Sequence, residues 1–229
     1  MNNTITHRIN CKSKTALKRA KKAILDGGII VYPTDTLYGF GVDARNKSAI
    51  DRLNNIKGRK SAMSVIMSDK NMVFSCTDIS QKNHKIVKKY LKGQTTIILK
   101  IKSGIVHPNI LGEEKTLGIR IPDHNFGPRL CKELGFPITT TSVNRAGETP
   151  LNDPNKIIKI FNGEFDILID DGAMKSSTGS TIYKLEKSKR KMYAGSIGYF
   201  SANQNFDTCI ALRTALIKNN KFYIQSGAG

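Results

Sequence analysis

The chain is most informative first in what it has little of. Tryptophan is absent, and histidine occurs four times, at His7, His84, His107 and His124. The four cysteines, Cys11, Cys76, Cys131 and Cys209, stand singly, with no C-x-x-C. Neither set has the short spacing of a metal knuckle, and lone thiols give no disulfide framework. Buried or idle thiols are therefore expected, and no metal ligand is assigned. No apolar run reaches the roughly 20 residues of a membrane span, and Met1 to Asn10 lacks a signal-peptide core. A soluble cytoplasmic protein with no membrane partner is the expectation. Acidic residues are also scarce, 18 against 37 lysines and arginines, for a net charge of +19. That balance favours anionic partners such as nucleotides or RNA. The excess is mostly lysine, clustered at Lys12 to Lys22, Lys82 to Lys92 and Lys184 to Lys191. Interleaved aromatics of a single-strand platform are missing there, and solvated helix faces explain the first two clusters as well as RNA does. No Walker-type G-x-x-x-x-G-K-[ST] occurs, and Gly39-Phe40-Gly41 is too short for a dinucleotide fingerprint. A nucleotide site must be built another way.

What is present is organised around the stretch from Gly28 to Gly41. Ile29-Ile30-Val31-Tyr32 is a short β-branched run that reads as a buried strand. Pro33 ends its ladder. Thr34, Asp35, Thr36 and Tyr38 follow with two glycines, and the spacing predicts one tight turn in which small donors approach a polar ligand. Ahead of it, Ser13 is placed to cap a helix whose apolar face is Ala16, Leu17, Ala20, Ala23 and Ile24. Behind it, Ala49, Ile50, Leu53 and Ile56 predict a helix over Asn46 to Lys57 that ends in Lys57-Gly58-Arg59-Lys60. Further on, strands are predicted over 64–67, 97–101, 116–122, 137–142, 166–170 and 180–185. Helices are predicted over 81–92, 126–134 and 153–161. Helices alternating with strands at short spacing indicate a mainly α/β sheet.

Polar groups stand just after strands or at a helix end at Thr34 to Tyr38, Lys57 to Arg59, Arg120, Thr140 to Asn144 and Ser176 to Ser180. In an open α/β sheet such ends converge on one crevice. The set holds cations and hydroxyls but no Ser/His/Asp triad and no carboxylate pair. That suits binding a polyanion with a small carboxylate by positioning and charge stabilisation. Arg120 interrupts an otherwise apolar strand, so it needs an anionic partner, either a ligand or an acid such as Asp123 or Asp170. Lys57 and Arg59 read equally as a solvated basic helix end. Ser142 and Asn144 read equally as groups that bond their own turn.

Six stretches taken in order resemble the YrdC-like family of threonylcarbamoyl-AMP synthases. They are Tyr32-Pro33-Thr34-Asp35-Thr36-Leu37-Tyr38-Gly39, Lys57-Gly58-Arg59, Gly93-Gln94-Thr95-Thr96, Gly118-Ile119-Arg120-Ile121-Pro122, Thr141-Ser142-Val143-Asn144 and Gly179-Ser180-Thr181-Ile182. The resemblance implies a twisted open α/β sheet with flanking helices and a basic concave cavity, over residues 1–188. It implies conversion of L-threonine, bicarbonate and ATP to threonylcarbamoyl-AMP and pyrophosphate, with Mg²⁺ assisting. A tRNA-modifying transferase would consume the product, and contact with RNA itself is the alternative use of the same basic surface. Carried over by position, Lys57, Arg59, Ser142 and Asn144 hold ATP. Thr34, Arg120, Thr140 and Ser180 hold threonine, with Arg120 on its carboxylate. Two departures stand out. Lys60-Ser61-Ala62-Met63 replaces a proline-containing connection. Tyr193-Ala194-Gly195 stands where the family has an Arg before a Gly, with Arg190 or Lys191 as substitutes.

Residues 189–229 resemble another family. Tyr193 to Ser201, Asp207 to Thr214 and Tyr223 to Gly229 are similar to the chorismate-binding region of anthranilate synthase component I. This implies roles for Arg213 and Tyr223 toward chorismate, yet the acidic Mg²⁺ ligands of that region are missing. The tail therefore reads as a fragment of that domain. Its two strand-like runs, Thr208 to Thr214 and Lys221 to Gln225, are expected to pair as one hairpin.

Overall fold

The computed structural model describes residues 6–175, 177–184, 196–200, 206–210, 215–218 and 221–224. The chain divides into two compact units, Met1–Lys184 and Leu185–Gly229. The first is an open sheet of nine strands flanked by helices. Its strands are β1 (His7–Asn10), β2 (Ile30–Tyr32), β3 (Gly39–Gly41), β4 (Ser64–Ile66), β5 (Thr95–Lys100), β6 (Thr116–Arg120), β7 (Ile138–Ser142), β8 (Ile167–Asp170) and β9 (Thr181–Lys184). They lie in the order β1-β8-β2-β3-β7-β4-β6-β5-β9. Pairing is mixed. β8 runs parallel to β1 and β2, β4 to β6 and β5 to β9, while β3 and β7 are antiparallel to their neighbours.

Register decides which residues share a face. Side chains alternate along a strand, and Cα partners point the same way. Ile30 pairs with Ile167 and Ile66 with Ile138. These side chains meet Ala16, Ala20 and Ile24 of α1 (Ala16–Leu25) and Phe126, Leu130 and Cys131 of α5 (Phe126–Leu134) in one apolar cluster. Tyr32 lies in the same cluster, its ring over β3. Only glycine fits beneath it, since a Cβ at Gly41 would stand 2.7 Å from the ring. On the opposite face Phe40 meets Phe161 of α6 (Pro154–Phe161) edge-on at 5.4 Å, with Phe165 behind.

The helix α2 (Lys47–Lys57) forms where its apolar spacing places it. The Asn46 side chain accepts from Ala49 N–H at its start, and Gly58 closes it in the left-handed conformation, φ 67°. Other expectations change. Ser13 is not the cap of α1. Thr15 holds that position without a side-chain cap, and Ser13 Oγ accepts from Thr15 N–H instead. The supposed single turn after Pro33 is a loop followed by β3, which pairs back on β2. β1 and α3 (Lys70–Cys76) went unforeseen, because each buries a single side chain, Ile9 and Val73. α4 (Gln81–Tyr90) is the expected basic helix.

In the second unit the tail is not one hairpin. β10 (Ser196–Phe200) pairs with β11 (Phe206–Ile210), and β12 (Ala215–Lys218) pairs with β13 (Lys221–Ile224), both antiparallel. The two predicted strands therefore each take a nearer partner.

Candidate functional site

Register builds the polar part of the site on the face that also carries the apolar α1–α5 cluster, since Tyr32 pairs with Gly39 and Ile66 with Arg120. Gly39 pairs with Ser142, Thr140 with Ser64, Ile66 with Arg120, and Arg120 with Thr96. Alternation then puts Gly39, Ser142, Thr140, Ser64, Gly118, Arg120 and Thr96 on one face across five strands. All of these but Arg120 are small, and beside Ile66 and Ile138 of the apolar cluster they form a floor. Its tightness shows at two glycines. A Cβ at Gly39 would stand 3.2 Å from Thr140 Oγ1, and one at Gly118 would stand 2.5 Å from Ser64 Oγ.

The residues do not gather at one row of strand ends, as the sequence suggested. In register Arg120 is level with Ile138, four residues and roughly 13 Å along β7 from Ser142. The gap is bridged by the loop between β2 and β3, which sends Asp35 and Thr36 to Arg120. Arg120 Nη2 donates to Asp35 Oδ1 at 2.7 Å and to Thr36 Oγ1 at 3.2 Å. The acid that partners Arg120 is thus Asp35, neither Asp123 nor Asp170. Asp123 contributes only its N–H, to Asp35 Oδ2 at 2.9 Å. Arg120 is 7% exposed, and its Nε has no hydrogen-bond partner. Burial pulls its pKa down and the Asp35 carboxylate opposes this; a guanidinium stays charged regardless. Thr34 shapes the same loop. Its hydroxyl accepts from Thr36 and Leu37 N–H, donates to Leu37 C=O and lies 3.2 Å from Thr36 Oγ1. Ser180 Oγ lies 2.6 Å from Thr96 Oγ1, which ties the entry of β9 to the floor.

A second knot holds Lys57, Ser142 and Asn144. Lys57 is not a solvated helix end. It is 1% exposed, and its Nζ donates to Ser142 C=O at 2.6 Å, Asn144 C=O at 2.9 Å and Asn144 Oδ1 at 3.3 Å. Burial, with Arg59 adding to it, pushes the ammonium down to about 8. Ser142 Oγ donates to Asn144 Oδ1, and Asn144 Nδ2 donates to Arg145 C=O and Glu148 C=O. The Asn144 side chain is therefore spent on its own turn, and Lys57 locks that turn from below. Arg59, one residue beyond Gly58, is exposed.

The predicted residues thus fall into Thr34 and Ser180 near Arg120 and a turn of Ser142 and Asn144 around Lys57, with Thr140 on the floor between and Arg59 exposed beyond Gly58. Asp35, Thr36, Ser64 and Thr96 were not singled out. Asp35 and Thr36 lay in the central stretch, but which strand they reach depends on a pairing 84 or 85 residues away. Ser176, Arg190, Lys191 and Tyr193-Ala194-Gly195 lie outside the described residues.

Comparison with known proteins closes the question of kinship. The profile of the Sua5/YciO/YrdC family, described as telomere recombination, matches residues 22–193. This chain belongs to that family. A putative threonylcarbamoyl-AMP synthase of Methanocaldococcus jannaschii is 38% identical over 179 residues, covering 77% of this chain and 83% of the relative. The threonylcarbamoyl-AMP synthase of Bacillus subtilis is 26% identical and is matched over 72% of this chain but only 49% of its own length. The crystal structure of P. abyssi Sua5 complexed with L-threonine superposes with a TM-score of 0.70 at 23% identity, over 79% of this chain and 54% of that one. At that identity the likeness establishes the shared Sua5/YciO/YrdC fold. The family's open sheet is the nine-stranded unit above. Residues 172–229 separately match the profile of chorismate binding enzymes, in line with the likeness read from the tail. Among the described residues, no helix is long and apolar enough to cross a membrane.

Proposed function

We propose that the protein is an L-threonylcarbamoyladenylate synthase, a nucleotidyltransferase making threonylcarbamoyl-AMP and pyrophosphate from L-threonine, bicarbonate and ATP. The observation that carries this reading is Arg120, a buried guanidinium with one edge on Asp35 and a donor at Nε without a partner. A buried donor left unpaired costs about 1–3 kcal/mol, a cost that an acceptor reaching Nε would relieve. A carboxylate meets a guanidinium edge with two oxygens. The threonine carboxylate fits that demand, with Thr34, Thr140 and Ser180 around it. The names of the two curated relatives and the threonine complex of the P. abyssi protein support the choice.

ATP is assigned to the other group. Arg59 is the open cation, and the turn from Ser142 to Asn144, stiffened by Lys57, presents its backbone and hydroxyl. The chemistry asked of these residues is positioning. The carbamate oxygen of carboxylated threonine attacks the α-phosphorus, the bond to the β-phosphate oxygen breaks, and pyrophosphate leaves with the electron pair. Asp35, the carboxylate at Arg120, is filled by Arg120 and Asp123 N–H. A magnesium ion would therefore arrive on the phosphates of ATP, where it neutralises leaving charge. A tRNA-modifying transferase would use the product.

Pyrophosphate release from ATP should require both threonine and bicarbonate. Release independent of either would overturn the assignment. Arg59→Ala should raise the KM for ATP about tenfold, a loss near 1.4 kcal/mol. Because Arg59 is exposed, the melting temperature should not move. Unchanged ATP kinetics would return Arg59 to the solvated surface.

A further inference from the structure

We propose that Cys11, His124 and Asp171 form a binding site for a borderline divalent cation of the zinc class. The three side chains are 113 and 47 residues apart in sequence, yet their ligand atoms all lie within 4.8 Å of one another. No local spacing could have announced them.

The fold explains the meeting. β1 and β8 are parallel neighbours, with Asn10 opposite Asp170. Cys11 and Asp171 are the next residue on each strand, and Cys11 N–H donates to Asp170 C=O at 2.7 Å. His124 enters from the loop between β6 and α5, with Nε2 3.3 Å from Asp171 Oδ2. That separation equals the edge of a tetrahedron whose metal–ligand bonds are about 2.05 Å. A thiolate at ~2.3 Å asks for an S···N edge of about 3.6 Å, so Cys11 needs at most a small side-chain rotation.

Neighbouring contacts hold the ligands. Asp171 N–H donates to Tyr38 Oη at 2.9 Å, and Tyr38 Oη donates to Gly172 C=O at 2.8 Å. Asp170 does not compete, because Arg8 and Gly172 N–H occupy its two oxygens. Lys12 is the opposing charge next to Cys11. One sulfur, one imidazole nitrogen and one carboxylate oxygen select zinc-like ions over Mg²⁺, which prefers oxygen throughout. The site is therefore separate from any ion carried by ATP. Asp171 is exposed, which leaves the fourth coordination position to water.

Binding displaces protons in a countable way. Phe126 N–H donates to His124 Nδ1 at 3.3 Å, so the ring proton sits on Nε2. The cation takes Nε2, the proton moves to Nδ1, and the long contact with Phe126 is given up. The Cys11 thiol proton leaves to solvent. The bound cation would tie together the ends of β1 and β8 and the loop that carries Asp123, whose N–H holds Asp35.

The test uses the full chain, stripped with chelator and titrated with Co²⁺ as a spectroscopic probe. A single equivalent should give intense visible bands of tetrahedral Co²⁺ and a thiolate charge-transfer band, both erased by Zn²⁺, and Zn²⁺ should raise the melting temperature. Cys11→Ser should abolish the charge-transfer band, and Asp171→Asn should weaken Zn²⁺ binding at least tenfold. Cys76→Ser and Cys209→Ser should change neither. A charge-transfer band that survives Cys11→Ser, or no stoichiometric binding by the wild-type chain at micromolar cation, would overturn the proposal.

Discussion

Arg120→Ala should abolish threonine-dependent pyrophosphate release while ATP binding survives. The guanidinium sits on the small-residue floor, is almost wholly buried and keeps Nε unpaired. Losing a charge-assisted contact in such a place costs about 2–5 kcal/mol, a factor of roughly 30 to several thousand in threonine affinity. The substitution also leaves Asp35, with 8% of its side chain exposed, as a buried carboxylate without its cation, so stability should fall as well. Arg120→Lys separates the two effects. It keeps a charge for Asp35 but loses the planar fork that a carboxylate needs. The expected outcome is a folded protein with a much higher KM for threonine. Normal threonine kinetics in a folded Arg120→Lys protein would make Arg120 a structural partner of Asp35 and remove the threonine site from this face. Asp35→Asn is the complement. With the carboxylate gone, Arg120 loses its orientation, and the threonine KM should rise more than kcat falls.

Lys57→Met should lower both stability and ATP use, unlike Arg59→Ala two residues away. Three acceptors in the Ser142–Asn144 turn depend on Lys57 Nζ. Stranding them costs on the order of 2–4 kcal/mol, offset in part by no longer burying a charge. For a chain of this length that corresponds to a fall of about 5–15 °C in melting temperature. The turn proposed to present Ser142 to ATP should loosen with it, raising the KM for ATP. A Lys57→Met protein with wild-type Tm and ATP kinetics would show that the knot is not what shapes the turn.

Titration of Lys57 adds a test with a definite sign. Its pKa in the folded protein is about 8, below the ordinary 10.5. Between these values the unfolded chain holds more protons, so this group makes stability rise with pH across that window. Its effect on ATP use is opposite, since the neutral amine cannot serve the same three acceptors. ATP use should decline as pH passes about 8 in the wild type, and Lys57→Met should flatten that limb. An identical pH profile in the variant would assign the decline to another group.

The elements of this fold were legible where the signal is local. The β-branched run at Ile30–Tyr32, the periodic apolar positions of α2 with Asn46 and Gly58 at its ends, and the stop of α5 at Gly135 each depend on neighbours a few residues away. β1 and α3 escaped because one buried residue apiece leaves no periodicity to read. Identity as a Sua5/YciO/YrdC domain was legible too, since it is carried by short stretches in fixed order. What the tertiary structure alone decided is which side chains meet. Lys57 looked like a surface cation until the β7 exit folded over it. Arg120 signalled a need for an acid, but its choice of Asp35 over Asp123 or Asp170 depends on how far the β2–β3 loop reaches across the sheet. Cys11, His124 and Asp171 carried no signal at all, because only the parallel pairing of β1 with β8 puts their ends side by side. Backbone propensity and periodicity act over a few residues and are written along the chain. Strand register acts between segments distant in sequence, and burial, partner and pKa follow from it.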